Sequence, residues 1–304
     1  LGGRRPKGWS RHLLFGLGVA WSLFQLWATE LGTLDPLRLR AVHLAFALAL
    51  AFLAYPGKRG PKDRVPLLDW ALALLGALGA LYVVWDYYGI TQLRGGIPSD
   101  RDVVMGTLTL LVLFVASWRV VGPALPIIAS VFILYALTGP KGLIPYTLPS
   151  WLQLHAGSQW GQLMGQLYTT AEGIWGVPLG VSATFVFLFV LFGALLEKAG
   201  AGHFFIQAAY ALLGHFRGGP AKAAVVASAL TGVVSGSSVS NTVTTGTFTI
   251  PLMKRVGYPP EKAGAVEVAS SSNGQLMPPV MGAAAFIMAE FLNIPYSQLI
   301  LIAL

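Results

Sequence analysis

The sequence predicts an all-α, polytopic membrane protein, and three observations carry that expectation. First, 55% of the 304 residues are hydrophobic and only 11% charged, with a mean hydropathy of +0.67, whereas a soluble domain is nearer about 25% charged. Second, apolar runs long enough to cross a bilayer alternate with short loops rich in Lys and Arg. Third, two polar stretches interrupt apolar sequence: residues 232–254 (GVVSGSSVSNTVTTGTFTIPLMK) and 270–279 (SSSNGQLMPP). Non-helical backbone is tolerated at membrane depth only where protein buries it or where it lines a water-filled site. Two such breaks close in sequence point to a transporter binding site.

The net charge of +8 sits in loops between apolar runs, where it sets topology and is no nucleic-acid footprint. Cysteine is absent, which excludes disulfides, thiolate metal sites and a Cys nucleophile. The basic group Arg4, Arg5, Lys7 and Arg11 runs into an apolar segment without a small-residue cleavage site, as in a retained first span. The chain begins without Met and ends in a fresh apolar run, PYSQLILIAL, so it is expected to be part of a longer protein.

Taken in order, residues 12–28, 39–55, 67–87 and 103–118 predict four spans. Lys58, Arg59, Lys62 and Arg64 mark a cytoplasmic loop, whereas Asp86, Arg94, Asp100, Arg101 and Asp102 mark an external one. Four spans with both ends inside form a unit at 1–121, with a boundary near 119–122. Residues 122–177 follow as a linking helix (124–137) and an external interfacial segment with one embedded helix and scattered aromatics. The remainder, 178–304, opens with a span at 179–196 and an interfacial helix at 203–216. Residues 221–252 are too short to cross twice and carry cations at both ends: Arg217 and Lys222 before, Lys254, Arg255 and Lys262 after. That pattern predicts a re-entrant helical hairpin with both ends cytoplasmic and its tip at GSSVSN. Residues 263–290 then cross outward, broken at 273–279, where tandem prolines remove backbone donors.

Little supports enzymatic chemistry. The phosphate-binding G-x-x-x-x-G-K-[ST] and the G-x-S-x-G elbow do not occur, and His12, His43, His155, His203 and His215 are scattered loop or interface residues. No cofactor is expected. The hairpin tip differs, because Gly236, Ser237, Ser238, Ser240, Asn241 and Thr242 offer neutral oxygens suited to sodium. The carbonyl end of one half-helix favours a cation, and the N–H end of the next favours an anion. The second break, Ser272–Asn273–Gly274–Gln275, is placed to face the first. Small residues also let membrane helices pack closely, but two breaks, proline terminators and same-side charges agree on an ion site. Among intramembrane acids, Glu290 is expected at an external interface and Glu172 in the external segment. Glu267 has two readings, a proton or ion partner, or an interfacial pair with Lys262. Trp9, Trp21, Trp27, Trp70, Tyr82 and Trp85 read as belt residues near span ends.

Residues 119–139, 170–202 and above all 217–296 resemble fused QM permeases of tripartite ATP-independent periplasmic (TRAP) transporters, in the branch served by TAXI-type receptors. The phrases FRGGPAKAAVVASAL, SGSSVSNTVTTGTFTIPLMKRVGY and GQLMPPVMGAAAFIMAEF carry the resemblance. It implies a four-span Q-like scaffold at 1–121 and the first inverted repeat of an elevator-type, sodium-coupled M domain. A second half of that domain is expected beyond residue 304. A periplasmic TAXI-type receptor would deliver an organic anion such as a C4-dicarboxylate, glutamate or a related carboxylate. On this reading Gly236, Ser237, Ser238 and Asn241, with Gly274 and Gln275 opposite, hold sodium, and Ser240, Thr242 and Asn273 touch substrate. The protein would sit in the bacterial inner membrane with its N-terminus cytoplasmic. The rival readings are a non-transporting scaffold that needs a partner chain, and an ion channel.

Overall fold

A computed structural model describes residues 3–58, 60–146, 148–149 and 151–303; the loop cation Arg59 and the closing Leu304 lie outside them. The described residues form helices and turns, with one isolated β-bridge between Thr138 and Ile144. Among the described residues, five helical stretches are long and apolar enough to cross a membrane: α1 (Trp9–Leu31), α2 (Pro36–Ala54), α3 (Leu67–Trp85), α4 (Asp100–Val120) and the continuous stretch Val177–Lys198. Caps extend two of them past their apolar cores. Asp35 accepts from the Leu37 amide at 2.8 Å and starts α2. Ser99 and Asp102 form a capping box that starts α4. The linking helix α5 occupies Ala124–Leu137, the residues expected of it.

The chain divides into two compact units, Leu1–Ala183 and Thr184–Leu304. In the first, Ala41, Leu44, Leu48 and Phe52 form a helical stripe on α2. They share a core with Ala73, Ala80 and Val83 of α3 and with Val112 and Ala116 of α4. Residues 122–183 cluster with these four helices. The segment expected at the interface holds α6 (Trp160–Met164) and a π-helical turn, Gly165–Thr169. Two of its aromatics turn inward instead. Tyr168 and Trp175 are fully buried, because each polar tip finds a carbonyl: Tyr168 donates to Gly79 at 2.5 Å, and Trp175 donates to Tyr168 at 2.6 Å.

The belt assignment also divides. Trp9, Trp27 and Trp85 are exposed. Tyr82 points into a polar cluster, donating to Asp102 at 2.8 Å, and Trp21 donates to His43 at 3.3 Å. His43 is therefore a core residue and not the loop or interface histidine expected. It is buried, with Gln25 Oε1 at 3.2 Å and Ser182 Oγ at 3.1 Å, since a polar ring is buried only with partners. In the first turn of α3, Asp69 bridges two cations, the buried Arg4 and Arg119, the latter at 2.6 Å. In the loop expected to be external, Arg94 pairs with Asp86 at 2.5 Å and Asp102 at 3.0 Å.

The stretch Val177–Lys198 comprises α7 (Val177–Val181), a π-helical turn (Ser182–Val186) and α8 (Phe187–Lys198). The second unit continues through α9 (Ala201–Leu213), α10 (Gly219–Ser235), α11 (Ser238–Arg255) and α12 (Pro260–Ser271). A 3-10 turn at Ser272–Gln275 breaks the chain before α13 (Ala283–Leu292) and α14 (Tyr296–Ala303). Helices α13 and α14 meet at a bend of 119°. Asn293, left-handed at φ 51°, ends α13, and Pro295 cannot continue it. The rings of Phe286 and Tyr296 stack across the bend at 4.3 Å.

Candidate ion and substrate site at the hairpin tip

Helices α10 and α11 pack together and are joined by only two residues, Gly236 and Ser237. Gly236 is left-handed (φ 59°), and its amide closes α10 onto the Gly232 carbonyl at 3.1 Å. A Cβ at this position would lie 2.4 Å from the Met281 carbonyl oxygen, so both backbone shape and space require glycine. Ser237 is extended and caps α11, its Oγ accepting from the Ser240 amide at 3.3 Å. The carbonyl end of α10 and the amide end of α11 therefore meet within one turn. The first offers partial negative charge and the second partial positive charge.

Asn241, in the first turn of α11, is fully buried. Its Nδ2 donates to the carbonyl and the Oγ of Ser228 on α10, at 2.8 and 2.9 Å. Its Oδ1 has no hydrogen-bond partner among the described residues. A buried acceptor left open costs free energy unless something fills it. The broken segment reaches this point directly: Gly274 lies against Gly232 and the Asn241 side chain. Next to it, Gln275 Nε2 donates to Ser238 Oγ at 3.1 Å.

Of the residues expected to hold sodium, Gly236, Ser237, Ser238, Asn241, Gly274 and Gln275 gather around this junction of hairpin and break. The three expected to touch substrate disperse. Thr242 donates back to the Ser238 carbonyl of its own helix at 2.8 Å. Ser240 lines a small cavity of about 150 Å³ together with Thr231, Ser235, Thr244 and Glu197. Asn273 is exposed, and its carbonyl accepts from the amides of Leu276 and Met277, each at 2.9 Å.

Behind Asn241 lies a polar layer that sequence reasoning left unassembled. Glu267 is fully buried on α12 and accepts from Thr245 and Thr249 of α11 and from Ser271 at 3.1 Å. It forms no ion pair with Lys262 among the described residues; Lys262 is exposed. Thr245 and Thr249 follow Asn241 at four-residue steps, and Ser271 follows Glu267 at the same step. This i, i+4 polar stripe was the available signal. Glu172 is exposed and accepts from Gln166 at 2.6 Å, and Glu290 is exposed as well.

A family model described as "Tripartite ATP-independent periplasmic transporter, DctM component" matches residues 108–304. Over 91 residues, 30% of this chain, the sequence is 37% identical to the C4-dicarboxylate TRAP transporter large permease protein DctM of Rhodobacter capsulatus, covering 21% of that protein. The same identity over 91 residues relates it to the protein of that name in Pseudomonas aeruginosa. It is 27% identical over 146 residues, 46% of this chain and 34% of the relative, to the ectoine TRAP transporter large permease protein TeaC of Halomonas elongata. The matched stretch thus spans only about a fifth to a third of the length of these curated relatives. No solved structure gives a significant match.

Proposed function

Because this chain belongs to the DctM component family of tripartite ATP-independent periplasmic transporters, we propose that it is permease sequence that imports an organic anion by sodium-coupled secondary transport. The substrate is a C4-dicarboxylate, glutamate or a related carboxylate, handed over by a periplasmic TAXI-type receptor. The observation that carries the sodium site is Asn241 Oδ1, a buried neutral acceptor without a partner among the described residues. The Asn241 side chain lies beside Gly232 of α10 and Gly274 of the break, with its Nδ2 and Cβ nearest to Gly274. Sodium is a hard cation, and the oxygens near the tip are amide, hydroxyl and carbonyl. These suit it better than a transition metal, which prefers nitrogen and sulfur.

In this reading α10 and α11 form a re-entrant hairpin that enters and leaves on the cytoplasmic side of the inner membrane. The hairpin and the broken segment travel together as the mobile part of an elevator, and the four N-terminal spans act as a Q-like scaffold with their N-terminus cytoplasmic. Sodium at Asn241 would tie the hairpin to Gly274 and Gln275, so that the tip is ordered only when loaded. The anion would bind where amides of the α11 start are open, near Ser240.

The test is uptake by the full-length permease in proteoliposomes with its receptor and a labelled dicarboxylate or glutamate, with and without an inward sodium gradient. Uptake that requires both sodium and receptor, and that Asn241→Ala abolishes, supports the reading. Uptake indifferent to sodium, or unchanged in Asn241→Ala, moves the coupling ion or the site elsewhere.

A further inference from the structure

Glu267 lies within α12, closed to solvent, and its carboxyl faces hydroxyls and no cation. Thr245 and Ser271 contact Oε1, and Thr249 contacts Oε2. The charged groups of the packed helices sit near helix ends and are exposed. They are Lys222 at the start of α10, Lys254 and Arg255 in the last turn of α11, and Glu261 and Lys262 at the start of α12. Helix α9 adds His203, edge-on to Phe248, and Tyr210, which donates to the Pro220 carbonyl at 3.3 Å. None of these cations pairs with Glu267. A buried intramembrane acid without a countercharge is expensive, and it marks a functional position by default.

The hydroxyls fit two states of this acid. Thr245 has one proton and two acceptors in reach, Glu267 Oε1 and the Asn241 carbonyl at 2.8 Å. Thr249 likewise reaches Oε2 and the Thr245 carbonyl at 3.0 Å. When Glu267 is ionised, both threonines donate to the carboxylate. When it is protonated, its O–H donates to one threonine oxygen, and that threonine turns its own proton to the helix carbonyl. Neither state strands a donor. The carboxyl oxygens contact the threonine oxygens directly, as oxygens that share a proton do. The network then runs on to the tip. Ser271 Oγ lies 3.3 Å from Ser228 Oγ, which accepts from Asn241 Nδ2 at 2.9 Å.

We infer that Glu267 is a proton-binding site that exchanges its proton with water during the transport cycle, linked through Ser271 and Ser228 to cation occupancy at Asn241. The proton adds to a carboxylate oxygen, and no other covalent bond changes. The ionised form attracts a cation to the tip and the acid form does not, so proton and sodium oppose each other. The linkage rests on the sodium reading above; proton binding by Glu267 does not.

Infrared titration of the purified full-length permease separates the two. Acidification of the wild type should produce a carboxylic-acid carbonyl band that is missing in Glu267→Gln. Thr249→Val removes a donor whose bond to the charged carboxylate is stronger than any it makes to the acid, and should shift that band's equilibrium toward the acid. This second variant keeps the test intact if Glu267→Gln fails to fold. In parallel, thermal stabilisation by sodium chloride over choline chloride is measured across pH. Acidification should weaken apparent sodium affinity about tenfold in the wild type and leave Glu267→Gln unchanged. A band that persists in Glu267→Gln, or one indifferent to Thr249→Val, overturns the proton site, and pH-independent sodium binding in the wild type overturns the linkage. Loss of sodium stabilisation at every pH with the band intact would remove the sodium reading and retain Glu267 as a proton site.

Discussion

Gly232 of α10 and Gly274 of the 3-10 turn meet backbone to backbone: a Cβ on Gly232 would sit 2.6 Å from the Gly274 α-carbon. Hairpin and break are therefore joined where neither has a side chain. Gly232→Ala should push them apart, at a cost of about 1–3 kcal/mol as in other overpacked contacts. Sodium-dependent stabilisation should fall with it, and thermal unfolding with and without sodium reads both. A variant that keeps wild-type stability would mean that the junction relaxes freely.

Gln275→Ala removes the side-chain hydrogen bond from Gln275 to the hairpin, to Ser238 at 3.1 Å. The residue is exposed, so the stability loss should stay within about 0.5–1.5 kcal/mol. Sodium affinity should drop more than that figure alone implies, because the bond fixes the break against the tip. Titration of the thermal shift with sodium checks this, and an unchanged affinity removes Gln275 from the ion site.

Asp69 accepts from Arg4 and from Arg119. Asp69→Asn leaves both guanidiniums without their shared anion and should cost about 3–5 kcal/mol, the usual penalty for orphaning a buried charge. Arg4→Ala should cost less, since Arg119 still neutralises Asp69. Equal losses in thermal unfolding of the two variants would contradict the shared-anion arrangement.

The hairpin's sidedness is accessible by labelling, because the chain has no cysteine. Lys222 and Val256 are exposed near the two ends of the hairpin, whereas Gly219 is closed off by the Leu213 and Gly214 carbonyls. Lys222→Cys and Val256→Cys should react with a membrane-impermeant maleimide only after the cytoplasmic face is opened. Labelling of either in intact cells would place that end outside.

Local sequence chemistry made much of this architecture legible. An apolar run located α5 to the residue, and the GSSVSN and SNGQLMPP runs located the hairpin turn and the 3-10 break. What composition could not supply was the partner of each buried polar group. Glu267 admitted a pairing with Lys262 five residues away, yet besides Ser271 its partners come from α11, 18 and 22 residues distant. Tyr168 and Trp175 looked like interface aromatics because their type favours that depth. The Gly79 carbonyl, 89 residues from Tyr168, draws Tyr168 inward instead. These pairings are tertiary: the four-residue polar stripes mark faces that hold polar groups, and do not say which partner each group meets.

The tip from Gly236 to Asn241 bears no formal charge, and this shapes how the membrane potential acts on the molecule. An empty tip gives the electric field nothing to pull on. A loaded tip adds one elementary charge, worth about 2.3 kcal/mol per 100 mV if it crosses the whole field. On the proposed reading an ionised Glu267 offsets that charge while sodium is bound, and a protonated Glu267 leaves the empty return neutral, so the voltage should act chiefly on the charge of the anion carried.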